Sequence, residues 1–388
     1  MSFLRKYANI LLLFGSLLIC FMFGEILLRY ALFSGFLKNR ISPHYFANLH
    51  HDDNVYRLLL KWQLEGKKNE PMLPEFDPLL GVTGEPVTPK NPLGLVTNKE
   101  YGIENFTDKR VILCYGNSFT EGFTDYQYKI PQLLDKSIAN VSVLNFGASG
   151  YGLDQMYLRL KTTIDHFNGP HVIVSVIYGD LDRCLYEVMH TARPYYKVAD
   201  GRLVLKGVPI PADYNKWLER YPLKPRCYVW EGLNGLVRRV LDSKLGNEYL
   251  FRFHPSETST RKNEKKLLVY KLIESIKQLC DSRNAKFTFI FFPNRQHILH
   301  EGWYQVFLRE VLEELKIDYI DFTEPLREYV KASGIKWYEL YPNSSHPDNK
   351  ENIVIAKHIA EHLVKNYDEY SLNIIADSYA ISTFESNL

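Results

Sequence analysis

An α/β fold, with a parallel sheet covered by helices on both faces and one membrane helix ahead of it, is what the 388-residue sequence predicts. Two observations predict the sheet. Short, mostly apolar runs, Val111–Tyr115, Val172–Tyr178 and Phe287–Phe292, interrupted only by Ser175 and Thr288, alternate with longer amphipathic stretches. Strands apolar on both faces need cover on both faces, which crossover helices supply. The membrane helix is predicted by Tyr7–Gly24, a charge-free run dominated by Leu, Ile and Phe that Tyr30–Leu37 extends to bilayer-spanning length.

In chain order the anchor comes first, over residues 1–38. Glu25 and Arg29 are four apart and share a helix face, so they can pair near the interface. The run lacks a small-x-small cleavage site, and Ile19 precedes Cys20 where a lipoprotein signal needs a small residue, so an uncleaved anchor is expected. The bulk of the chain is expected outside the cytoplasm, although Arg5 and Lys6 compete with Arg29, Lys38 and Arg40 for the orientation signal. Residues 39–104 mix aromatic, charged and proline-rich pieces and read as a stalk and wrapping arm. His50-His51-Asp52-Asp53 within it reads as solvated loop, not a metal site.

The α/β rhythm occupies residues 105–367. Its expected elements are strand Val111–Tyr115, helix Tyr126–Ile138, strand Val141–Phe146, helix Leu153–Phe167 and strand Val172–Tyr178. An insertion at about 184–260, rich in Tyr, Trp, Pro and Arg, interrupts them and opens on a hairpin centred on Asp200-Gly201. Its aromatics read equally as a lid or as packing onto the core. Helix Lys265–Cys280, strand Phe287–Phe292, helix Trp303–Leu315, strand Tyr319–Phe322 and a helix around Asn352–Val364 complete the pattern, and residues 368–388 read as a polar tail.

Composition excludes some classes. Lys+Arg 47 against Asp+Glu 45, with no basic cluster interleaved with aromatics, argues against a nucleic-acid partner. The five cysteines, Cys20, Cys114, Cys184, Cys227 and Cys280, have no metal-type spacing, and His358 and His362 flank Glu361 without the order of a zinc helix. No metal or cofactor is expected.

The chemistry concentrates at the carboxyl ends of the strands, where ligands bind in an open parallel sheet. Strand Val111–Tyr115 breaks at Gly116-Asn117-Ser118 into a helix start, which exposes Ser118 beside helix amides able to hold an oxyanion. The next strand ends in Asn145-Phe-Gly-Ala-Ser-Gly-Tyr-Gly152, whose glycines permit close backbone approach. The third ends in Gly179-Asp180-Leu-Asp182, where turn and cap roles for both aspartates are the plainer reading. Late in the chain, Asn343-Ser-Ser-His346 lies in a loop just before the last helix. An early serine and a late histidine on one sheet edge can meet in space.

Gly116-Asn-Ser-Phe-Thr-Glu-Gly122, Asn145-Phe-Gly-Ala-Ser-Gly150 and Asn343-Ser-Ser-His-Pro347 resemble, in order, three conserved blocks of SGNH (GDSL-type) hydrolases, membrane-anchored members above all. The resemblance runs from about Arg110 to Tyr367, excluding the insertion. It implies a three-layer α/β/α sandwich, Ser118 as nucleophile, His346 as base, and an oxyanion hole from the Ser118 amide, the Gly150 amide and an Asn side chain on a further block. It also implies an esterase or acyltransferase working through an acyl-serine on acylated glycans or lipids of the cell envelope. The sequence departs from the pattern in three places. Asn117 stands for the usual Asp, Gly179 aligns with the oxyanion Asn, and Asn343 occupies the position of the triad Asp. Losing one oxyanion donor costs about 10²–10³ in turnover, and a triad Asp→Asn change about 10⁴ in a serine protease. Activity therefore implies a Ser-His dyad or a substitute carboxylate, with Asp180, Asp348 and Glu339 as candidates. The alternatives are a non-catalytic glycan- or partner-binding descendant and, more distantly, a phosphate-binding protein.

Overall fold

The computed structural model describes residues 2–34, 54–64, 72–106, 110–189, 191–223, 227–230, 232–233, 236–237 and 259–373. They form two compact units, Met1–Glu70 with Asp213–Glu257, and Pro71–Ala212 with Thr258–Leu388.

The larger unit is a three-layer α/β/α sandwich. Two short strands, β1 (Phe76–Asp77) and β2 (Gly81–Val82), pair antiparallel ahead of it. The central sheet contains β3 (Val111–Gly116), β4 (Ser142–Asn145), β5 (His171–Ile177), β8 (Lys286–Phe292) and β9 (Asp318–Asp321). Its order is β4-β3-β5-β8-β9 and all neighbours are parallel. Strand period explains the two cores: Val111, Leu113 and Tyr115 face one and Ile112 and Cys114 the other, as do Phe287, Phe289 and Phe291 against Ile290 and Phe292.

Each face is covered by helices. On the first lie α5 (Leu153–Thr163), α8 (Ser259–Ser282) and α9 (Trp303–Glu314), through Leu153, Met156, Leu272, Ile276, Leu308 and Val311. On the second lie α4 (Ile130–Ser137), α10 (Thr323–Ser333) and α11 (Asn349–Asn366), through Ile130, Leu134, Leu326, Ile355, Ile359 and Leu363. Strand order reverses at β3, so a crevice opens at its carboxyl end. The one-turn helices α3 (Ser118–Glu121) and α6 (Tyr178–Arg183) start there, directly after β3 and β5.

Several expectations are refined. The helix expected over Tyr126–Ile138 is a 3-10 turn at Tyr126–Tyr128 followed by α4, because Pro131 sits in the first turn of α4, where its missing N–H is harmless. Helix α10 was not legible in the sequence: Pro325 masks it, yet in a first turn proline is tolerated, and Gly334 at φ 70° ends the helix. The hairpin β6 (Tyr195–Ala199) and β7 (Arg202–Lys206) turns at Asp200 and Gly201, both at positive φ as a two-residue turn of this twist requires. The stretch read as one insertion, 184–260, is divided between the units at Asp213. Of the polar tail, Tyr370 is buried in the second core and residues 374–388 lie outside the described residues.

In the smaller unit, α1 (Ser2–Phe33) contains Ile10–Leu32, a stretch that is long and apolar enough to cross a membrane. Residues 39–104 read as a stalk and wrapping arm with little readable periodicity, and α2 (Asn54–Leu64) lies among them. Leu58 and Trp62, four apart and buried with Leu32 and Tyr228, supply its apolar stripe, and the Trp62 indole donates to the Leu32 carbonyl at 3.2 Å. Helix α7 (Tyr214–Arg220) packs against α2. His50-His51-Asp52-Asp53 lies outside the described residues.

Candidate active site

The turn that carries Ser118 is built by Asn117. Its side-chain oxygen accepts from the Phe119 amide at 2.7 Å and its carbonyl from the Glu121 amide at 2.9 Å, capping α3 so that Ser118 is the first helical residue. First-turn amides of a helix lack intrahelical partners and carry its positive dipole end. Ser118 is nearly buried, and its hydroxyl meets the His346 Nε2 at 2.7 Å.

His346 is held by a reverse turn. The Asn343 amide donates to the His346 carbonyl at 3.1 Å, the His346 amide donates to the Asn343 carbonyl at 2.9 Å, and Ser344 and Ser345 between them have φ of 51° and 69°. The Nδ1 of His346 lies 2.9 Å from the Ser344 carbonyl. A carbonyl only accepts, so Nδ1 carries the proton and Nε2 presents its lone pair to Ser118. The Ser344 carbonyl thereby takes the orienting role that a carboxylate has in a triad. Phe123 packs edge-on against the imidazole with ring centres 4.3 Å apart, and Phe119 lies at 5.6 Å. This partial burial holds the His346 pKa below 6.5, against an opposing contribution from the Ser344 and Asn343 carbonyls.

The other candidates fall elsewhere. The Asn343 side chain donates to the Phe123 carbonyl at 2.9 Å, tying the base loop to the segment after α3. Asp348 caps α11, accepting from the Glu351 amide at 2.9 Å, and Glu339 accepts from the Lys336 amide at 2.8 Å. Asp180 is fully buried and accepts from the Ile177 amide at 2.9 Å, from the Asn117 side-chain amide and from Arg183. Burial raises its pKa to about 6 although Arg183 opposes this. Arg183 also donates to the Tyr151 carbonyl at 3.1 Å. Asn117, Asp180 and Arg183 therefore link the turns after β3, β5 and β4.

Gly147 and Gly150 show why the second turn is glycine-rich. A Cβ on Gly147 would come within 2.2 Å of the Glu121 amide nitrogen, so only glycine lets this turn lie against α3. Gly150 sits at φ 80°. Beside it opens a cavity of about 70 Å³ lined by Ser149, Tyr151, Met189, Thr191 and Arg193 among others. Gly179 lies in the first turn of α6 with only the Ile177 side chain near its Cα, at 3.8 Å from a built Cβ. Sequence reasoning missed the Ser344 carbonyl, Arg183 and Phe123; the two-residue spacing inside Asn343-Ser-Ser-His346 was the one available signal of a tight turn. Among the described residues no group of three or more His, Cys, Asp or Glu side chains could hold a metal.

No protein-family model matches the chain, and no curated protein matches it. Solved structures similar to it include a lipolytic protein of the G-D-S-L family from Veillonella parvula, at 16% identity over 67% of this chain and 98% of that one, TM-score 0.34. Another is a two-domain esterase active on acetylated mannans, crystallised with mannopentaose, at 14% identity over 66% of this chain and 49% of that one, TM-score 0.32. A Bacillus subtilis protein is similar at 12% identity over 69% and 59% of the chains, TM-score 0.39.

Proposed function

We propose that the chain is a membrane-anchored serine ester hydrolase or acyltransferase of SGNH type. The observation that carries this reading is the 2.7 Å contact between the Ser118 hydroxyl and a His346 ring whose tautomer is fixed by the Ser344 carbonyl. As the Ser118 oxygen attacks an ester carbonyl carbon, its proton passes to Nε2. The oxyanion is held by the Ser118 and Gly150 amides. Collapse expels the alcohol, which takes the proton back from Nε2, and leaves an acyl-Ser118. Water, or the hydroxyl of an acceptor, then gives its proton to Nε2 and removes the acyl group by the reverse steps.

Short acyl esters of envelope glycans or lipids are the substrates this reading favours, with the apolar helix α1 anchoring the protein in a bilayer and the site outside the cytoplasm. A second reading, a binding module with little turnover, is favoured by Asn343 facing the Phe123 carbonyl and by Gly179 carrying no side-chain donor. Labelling of the full-length protein by a fluorophosphonate separates the two. Labelling that disappears in Ser118→Ala, with hydrolysis of p-nitrophenyl acetate lost in parallel, supports the enzyme; absence of both in the wild-type chain leaves the binding module.

A further inference from the structure

The smaller unit carries an apolar surface unrelated to Ser118. Residues 228–230, 232–233 and 236–237 are helical. Tyr228 is buried against Leu32, Leu58 and Trp62, while Trp230, Leu233, Leu236 and Val237 are each more than half exposed. Positions three, six and seven residues from Trp230 share its face at helical spacing, while Tyr228 falls on the other face. A water-facing helix has no reason to turn four large apolar side chains outward in one row.

Its depth is set by α1. The Glu25 carboxylate accepts from the Val229 amide at 2.9 Å and pairs with Arg29 at 2.8 Å, and the Arg29 guanidinium lies 5.3 Å from the centre of the Tyr228 ring. A Cβ on Gly24 would touch the Val229 side chain at 3.5 Å. The helical segment thus begins against residues 24–29 of α1. The apolar stretch Ile10–Leu32 carries Glu25 and Arg29 toward its carboxyl end, near the edge of a bilayer it would cross, where a carboxylate is tolerated when paired and hydrogen-bonded.

We propose that the described helical residues at 228–230, 232–233 and 236–237 make a second membrane contact in the interfacial layer, with Trp230, Leu233, Leu236 and Val237 against the acyl-chain boundary and Trp230 at headgroup level. The proposal rests on the reading that α1 spans a bilayer. The test uses the full chain with Cys20→Ser and Cys227→Ser, reconstituted in phosphatidylcholine nanodiscs. Single nitroxide labels are placed through Leu233→Cys or Val237→Cys, with Leu17→Cys in the span and Arg202→Cys on the exposed hairpin as references; Cys114, Cys184 and Cys280 are buried. At 233 and 237 the ratio of oxygen to nickel-chelate collisions is expected to exceed that at 202 several-fold and to approach that at 17. A ratio equal to that at 202 overturns the proposal, as does exclusion of both reagents, which would mean protein cover. If position 17 also gives a water-like ratio, the membrane reading of α1 itself fails and the proposal falls with it. Independently, the emission component lost in Trp230→Phe is expected to fall by at least half in brominated phosphatidylcholine; unquenched Trp230 emission refutes the contact.

Discussion

Asn117→Asp would introduce the residue that SGNH hydrolases, which the sequence resembles, carry beside their serine, yet here it should damage the protein. Asn117 donates its side-chain amide to Asp180, which has no exposure to water. Aspartate at 117 has nothing to donate, and two carboxylates would share one buried site. They avoid repulsion by holding one proton between them. Keeping a proton at pH 7 on a carboxyl of ordinary pKa near 3.9 costs about 4 kcal/mol. For a domain of this size that corresponds to a drop in Tm of roughly 8–16 °C.

The sign of the pH dependence separates charge from shape. The shared proton raises a folded-state pKa above its unfolded value. Its penalty is absent below the unfolded pKa and grows as pH rises through the range up to the folded one. The deficit of Asn117→Asp should therefore shrink to about 1 kcal/mol at pH 4.5. Thermal unfolding of the purified full chain at the two pH values, with fluorophosphonate labelling rate as a readout of Ser118, measures it. Asp180→Asn alone breaks the buried pair with Arg183 and should cost about 3 kcal/mol. The double exchange Asn117→Asp with Asp180→Asn restores one donor facing one acceptor and should be less damaging than the two single losses added together. A deficit independent of pH, or strict additivity, would refute the argument.

Three further outcomes follow from the site. Because burial holds the His346 pKa below 6.5 and the base must be neutral, the acid limb of kcat/KM should lie below pH 6.5, with the rate falling as pH drops through the folded pKa; a limb above 6.5 in a pH–rate profile contradicts the geometry. Asn343→Asp should change ester turnover by less than about tenfold, since the Ser344 carbonyl already fixes the tautomer whose loss accounts for the far larger effect in a protease triad. Gly147→Ala forces a Cβ onto the Glu121 amide nitrogen and should cost about 1–3 kcal/mol while slowing labelling of Ser118, read by unfolding and labelling rate on the same sample.

The sheet was legible because its central strands are largely apolar on both faces, broken by few polar residues such as Ser175 and Thr288, and Val111–Tyr115 could not be mistaken for an amphipathic helix. The Ser118 and His346 turns were legible because each combines a strand or helix boundary with small polar residues. Other parts of the fold were hidden by competing signals. Pro325 reads as a breaker unless its place in the first turn of α10 is known, and the charged residues around Leu58 and Trp62 obscured the stripe of α2. Backbone chemistry is invisible to a search for side chains. Looking for a carboxylate near His346 led to Asp180, Asp348 and Glu339, whereas the group beside Nδ1 is a main-chain carbonyl.

The departures at 117 and 343 then have a common physical reading. Asn117 is required once a buried Asp180 lies opposite it, and Asn343 is permitted once the turn that presents His346 supplies its own acceptor. What a carbonyl cannot supply is a full negative charge for the imidazolium that forms during attack. Of the charges that bear on His346, Arg183 opposes the imidazolium and Glu121 favours it. With burial also opposing, His346 in the proposed role of base is correctly aimed but weakly supported. The difference from a full triad should therefore fall on the rate of acylation and leave the identity of the nucleophile unchanged.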